Sequence, residues 1–176
     1  MNSTQNYIRL LIIFLVTTLI QVVVLDNLEF LNLCNPFLYV VVLLSAPFGI
    51  SPIALMLMSL PVGLAIDVAS NTPGMHAAAC VFVAYMRPYV RQLISFRSAY
   101  RDDDMPSVHS YGLVWYAKYV LIIVALHHLV LFFVEQFDGL FFWTTLLRAL
   151  LSILASSVLI IVFSMLTPRP AGSQAD

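Results

Sequence analysis

The sequence predicts an all-α integral membrane protein, a six-transmembrane-helix bundle with almost no mass outside the bilayer. Three observations carry that expectation. Of 176 residues, 61% are apolar and only 10% are charged, against about 45–50% and about 25% in ordinary soluble domains. The mean hydropathy is +0.96, and a soluble fold of this size has too much surface for its volume to hide so much apolar side chain. The apolar residues also fall in long runs, and the arginines gather on one side of a six-span path. Composition excludes a soluble enzyme, a nucleic-acid binder and a disordered scaffold. A net charge of −1 gives no reason to expect a polyanionic partner.

The first span is Ile8–Leu25, 8–25 in the chain. It holds one basic residue, Arg9, and is followed by Asp26-Asn27-Leu28-Glu29 with no small-residue cleavage site. It therefore reads as an uncleaved membrane helix and not as a signal peptide. From Asn35 to Ile66 there is no charged residue over 32 positions, too long for one helix at about 1.5 Å per residue and short for two. Pro47, Gly49 and Pro52 mark a turn near its centre. The run divides into Pro36–Phe48 and Pro52–Ser70. Met75–Val90 makes the fourth span, with Arg87 near its end. Tyr111–Val134 and Leu140–Thr167 make the fifth and sixth. The tail 168–176 is polar and is expected to be disordered.

Positive charge fixes the expected orientation. With six spans and a cytoplasmic N-terminus, Arg87, Arg91, Arg97 and Arg101 share a cytoplasmic loop, 87–110. The outer segments 26–35, 70–74 and 135–140 contain no Lys or Arg. Tyr89, Val90, Leu93, Ile94 and Tyr100 recur at helical spacing, so this loop is expected to lie along the inner leaflet and touch lipid. Asp102-Asp103-Asp104 reads as a solvated turn that ends it, without the DDxxD spacing of a diphosphate site.

Ionisable groups at membrane depth cost about 2.5–3.5 kcal/mol each, so those present are the candidate functional residues. Asp67 and Arg148 lead, with Gln21, His76, His127 and His128 as companions in one outer layer. Ser59, Gly63 and Asp67 are spaced by four, and Arg148, Ser152, Ala155 and Ser156 share a face. Small residues at such spacing favour close helix contact. The expected arrangement pairs Asp67 with Arg148, either to hold the bundle or to shape a partner surface. Of the adjacent histidines, which point about 100° apart, His128 is the one expected to face the bundle. Cys34 and Cys80 read as unpaired thiols. No catalytic, metal or cofactor motif is present.

Gly63-Leu64-Ala65-Ile66-Asp67, followed by Ser70-Asn71-Thr72-Pro73-Gly74-Met75-His76-Ala77, resembles the MreD family of rod shape-determining proteins. That family shows a GLxxD segment, a small polar turn with Pro and Gly, and then a span rich in small residues. Gln21 late in span one and Pro36 opening span two also fit. Leu60-Pro61 departs from the family's glycine-rich run, and the 87–110 loop is longer than its pattern.

The resemblance implies a fold similar to the substrate-binding subunits of energy-coupling-factor transporters. It also implies a non-enzymatic, multi-pass component of the bacterial inner membrane, and the arginine positions lead to the expectation that both termini are cytoplasmic. Such a protein docks a bitopic MreC-like partner and helps organise peptidoglycan synthesis and cell shape. Around it stand a RodA-type glycosyltransferase, a class B transpeptidase and the MreB filament, and a homodimer stays open. The alternative is a small-molecule transport subunit with an outward-facing binding cavity. That reading calls for a discrete pocket with convergent polar groups.

Overall fold

The computed structural model describes residues 3–27, 34–94, 100–136 and 142–168. The described chain is helical, with no strand. It contains α1 (Ser3–Val23), α2 (Val41–Ser45), α3 (Pro52–Ser70), α4 (Met75–Ile94), α5 (Val108–Tyr111), α6 (Leu113–Glu135) and α7 (Phe142–Leu166). Four helices are long and apolar enough to cross a membrane, within Thr4–Asn27, Pro52–Ser70, Leu113–Glu135 and Phe142–Leu166. The chain is therefore an all-helical membrane protein. α4 has 20 residues, enough length to cross, but it carries Arg87 and Arg91.

The helices pack in sequence, α1 on α3, α3 on α4, α4 on α6 and α6 on α7. Their outward faces are apolar: Leu11, Leu15 and Leu19 of α1 and Leu150, Leu154 and Val158 of α7 are exposed. In water such faces would be a liability; in a bilayer they meet their proper solvent. α6 packs on both α4 and α7 and leaves Val114, Leu121 and Val134 exposed on its remaining side.

Capping residues set the ends of α3. The Ser51 hydroxyl accepts from the Ala54 N–H at 3.2 Å, and Pro52 takes the first helical position, where its missing N–H costs nothing. At the other end Asn71 adopts a left-handed conformation, φ 55°, and its N–H returns to the Asp67 carbonyl, a common helix stop.

The second expected membrane helix, Pro36–Phe48, is not formed. All thirteen of these residues are buried, but only Val41–Ser45 is α-helical. The segment runs through the middle of the bundle, irregular through 35–38 and helical only after the turn at Tyr39-Val40. Length explains the choice. Thirteen residues of α-helix reach only about 20 Å, short of a hydrocarbon core of about 30 Å. Non-helical backbone advances further per residue than an α-helix does.

The loop expected over 87–110 is also redrawn. α4 continues to Ile94, so Arg87 belongs to a helix and is 5% exposed. Arg97 and residues 169–176 of the tail lie outside the described residues. Asp102 and Asp103 sit exposed in a turn, as anticipated. The carbonyls of Asp102 and Asp104 accept from the N–H groups of Gly49 and Phe48 at 2.8 and 3.1 Å.

Two ends of the bundle follow from these contacts. One, the corner end, carries the α3–α4 turn, Asp26 and the close of α6. The other, the loop end, carries residues 100–107. There the Asn6 side chain donates to the Asp103 carbonyl at 3.0 Å, and Arg9 donates to the Pro168 carbonyl.

Candidate functional site, a polar layer at the corner end

Asp67 and Arg148 are not paired. Asp67, 5% exposed, turns its carboxylate to the start of α4. It accepts from the His76 and Ala77 N–H groups at 3.0 and 2.9 Å, and from the Thr72 hydroxyl at 2.8 Å. The first turn of a helix leaves N–H groups without partners and carries partial positive charge. A carboxylate reaching across from α3 satisfies both. The reach requires the helices to touch. A Cβ on Gly63 would overlap the backbone of Ala77, so only glycine lets α3 approach this closely. Gly74, φ +78°, turns the chain into α4. Residues 63–77 thus form one corner.

Arg148 has its own neighbours. Its guanidinium lies 4.0 Å from the Glu135 carboxylate and over the Phe132 ring at 5.3 Å. The Asn35 amide oxygen faces its Nη2 at 3.3 Å. The expected Asp67–Arg148 pair fails because each residue is engaged nearer to hand.

The other polar residues hold the non-helical stretch before α2. Gln21, 1% exposed, accepts from the Leu38 N–H at 2.8 Å and donates to the Pro36 carbonyl at 3.2 Å. Ser152 accepts from the Asn35 N–H at 2.9 Å, and Ser156 from the Phe37 N–H at 2.8 Å. Non-helical backbone survives at membrane depth only when protein groups satisfy it in this way.

Both histidines of α6 are fully buried, so His128, expected to be the better bundle-facing candidate, shares that position with His127. α6 lies between α4 and α7, and both directions lead into protein. His128 Nδ1 is 2.9 Å from the Val124 carbonyl, which can only accept, so Nδ1 carries the proton. Its Nε2 then accepts from Ser156 Oγ at 3.0 Å, and that hydroxyl still accepts from Phe37. His127 Nε2 lies 2.8 Å from the Tyr39 hydroxyl, which lies 2.7 Å from His76 Nδ1. His127 Nδ1 has no partner. A buried lone pair is cheaper to leave unpaired than a buried N–H. The Cys80 thiol also reaches the Tyr39 hydroxyl, but sulfur is a weaker acceptor than an imidazole nitrogen, so the chain runs His127 Nε2–H to Tyr39 and Tyr39 O–H to His76 Nδ1, which leaves His76 Nε2 as a donor.

Beside this layer is a cavity of about 480 Å³. Asp26, Asn35, Ser70, Thr72, His76 and Glu135 are among its polar walls, and Phe37, Met75 and Leu131 among its apolar ones. Sequence reasoning named His76 but missed Asp26 and Glu135 as parts of a shared space, because no spacing rule links the ends of α1 and α6.

At the loop end the other cationic expectation becomes a clamp. Arg87 donates to the carbonyls of Leu44, Ala46 and Pro47 and, at 2.6 Å, to the Tyr119 hydroxyl. Arg91 donates to the Phe48 carbonyl at 3.2 Å and lies over the Phe48 and Tyr100 rings at 5.3 and 5.6 Å. Arg101 is exposed. Burial, then the hydrogen bond to Asp104, push the Tyr111 phenol above its ordinary pKa.

No family model, curated protein or solved structure matches the chain.

Proposed function

We propose that the protein is a non-enzymatic, six-crossing component of the bacterial rod machinery, similar to MreD, which docks an MreC-like bitopic protein in the inner membrane. The observation that carries this reading is the corner at 63–77. The residues on which the resemblance rests, Gly63, Asp67 and Gly74, act together there as one structural unit. Gln21, Ser152 and Ser156 near it are engaged in holding backbone. The broad apolar faces of α1 and α7 remain to meet lipid and a partner helix.

In this reading the buried segment 36–48 and α4 supply the second and fourth crossings, the corner end faces outward and both termini are cytoplasmic. The energy-coupling-factor-like fold belongs to the same proposal. Cross-linking in native membranes followed by mass spectrometry tests the partner. Recovery of an MreC-like bitopic protein is expected, and its absence from the cross-linked species would overturn the docking reading. Orientation is read separately, with Cys34 and Cys80 replaced. An impermeant thiol reagent should label Asn27→Cys in intact cells and leave Asp102→Cys untouched.

The cavity favours a second reading. Its convergent polar walls are what a small-molecule subunit calls for, and its volume lies within the range of about 300–1,000 Å³ typical of ligand sites.

A further inference from the structure

We propose that the corner-end cavity binds a small organic cation, a protonated amine on a compact apolar body that also carries a hydrogen-bond-accepting oxygen. The inference rests on the second reading only in taking the cavity as a binding site. It does not depend on the rod-machinery reading.

The charge of the walls selects the cation. Asp26 Oδ1 accepts from Gln21 at 2.7 Å and Oδ2 from Ser70 at 3.2 Å. Both donors are neutral, and a carboxylate has lone pairs to spare beyond two such bonds. No Lys or Arg is among the described wall residues. Glu135 has Arg148 beside it; Asp26 has no cation beside it among the described residues. Asp67, just behind Thr72, likewise receives only neutral donors. The unbalanced charge around the cavity is negative, and low-dielectric walls strengthen its pull on a cation.

A deep and independent feature points to the oxygen. His76 is only 4% exposed and lines the cavity. Its Nδ1 is held by Tyr39, while Nε2 has no partner among the described residues. The proton order along His127, Tyr39 and His76 makes that Nε2 a donor. Unlike His127 Nδ1, which is sealed off, this Nε2 opens on the cavity its ring lines, so a ligand acceptor fits there. Phe37, Met75 and Leu131 offer the ligand's body an apolar wall.

The test uses the full chain in nanodiscs and calorimetric titration with three probes. These are para-methoxyphenethylamine, phenethylamine and para-methoxyphenylpropionate. Saturable binding of the methoxy amine is expected, with no binding of the propionate. Asp26→Asn keeps an oxygen for Gln21 but removes the charge, and should weaken amine binding about tenfold or more. Loss of the methoxy group should weaken binding about threefold to tenfold in the wild type and have no effect in His76→Phe. Ala69→Trp fills the cavity from an exposed wall position and should abolish binding while the protein stays folded by thermal unfolding. Binding of the propionate as tight as that of the amine would overturn the cation assignment while leaving the cavity a site. An amine affinity unchanged by Ala69→Trp, or failure of all three probes to bind, would overturn the site itself.

Discussion

The two halves of the central segment are held by opposite chemistry. Before α2 the unpaired groups are chiefly N–H, and they are met by neutral acceptors: Ser152, Ser156 and the Gln21 amide oxygen. At the end of α2 and beyond it, the carbonyls of Leu44, Ala46, Pro47 and Phe48 are met by the guanidinium groups of Arg87 and Arg91, and the Phe48 N–H by the Asp104 carbonyl. The first-turn N–H groups of α2, on Val41, Val42 and Leu43, are paired with the carbonyls of Leu38, Tyr39 and Val40, so the donors left over belong to the non-helical residues before it. A short helix leaves acceptors free at its end, and in a membrane core water can serve neither set. Hydroxyls and an amide suffice for separate N–H groups. A cluster of three carbonyls calls for the five-donor fork that only arginine carries. The cationic residue that positive-inside counting assigns to a loop is, on this account, a buried structural group.

The largest loss should come from the loop-end half. Arg87→Met leaves three carbonyls and the Tyr119 hydroxyl without their shared donor, and should cost about 3–5 kcal/mol in detergent unfolding. Arg87→Lys keeps the charge without the fork and should lose about 1–2 kcal/mol. A methionine variant as stable as the wild type would remove the clamp from the account. Next comes Gln21→Leu, which orphans the Leu38 N–H and the Pro36 carbonyl together, for about 2–3 kcal/mol by the same assay. Ser156→Ala should cost about 1–2 kcal/mol, because Phe37 N–H and His128 Nε2 both lose a partner. The smallest effect is expected for Ser152→Ala. Its partner Asn35 is only half-buried, and the loss should stay below about 1 kcal/mol. A serine series in the reverse order would show that burial does not set the ranking.

The limits of Pro36–Phe48 were legible, since proline and Phe-Gly frame an uncharged run. Its conformation was not, because uniform apolarity reports burial and gives no period to separate helix from extended chain. The run's short length, with Val40-Val41-Val42 inside it, was the available warning. The inward stripe Ser59–Gly63–Asp67 was readable from spacing alone, as all three are buried. The partner of Asp67 was not. Matching depth made Arg148 plausible, but backbone N–H groups nine and ten residues away compete without any trace in side-chain pattern. His127 is misjudged when α6 is given a single inward direction, because α4 and α7 flank the helix and two adjacent directions lead into protein.

The α3–α4 corner is closed by bonds that span no more than ten residues. It can therefore lock while the ribosome is still at work. The middle segment cannot. Ser152 and Ser156 follow the amides they satisfy by 117 and 119 residues. Until α7 leaves the translocon, Asn35 and Phe37 have no such acceptor, and loop closure over that distance is slow. Biogenesis thus has a built-in order, an early hairpin and a late plug. Truncation before Ser152 should leave the plug half-seated and exposed to membrane quality-control proteases.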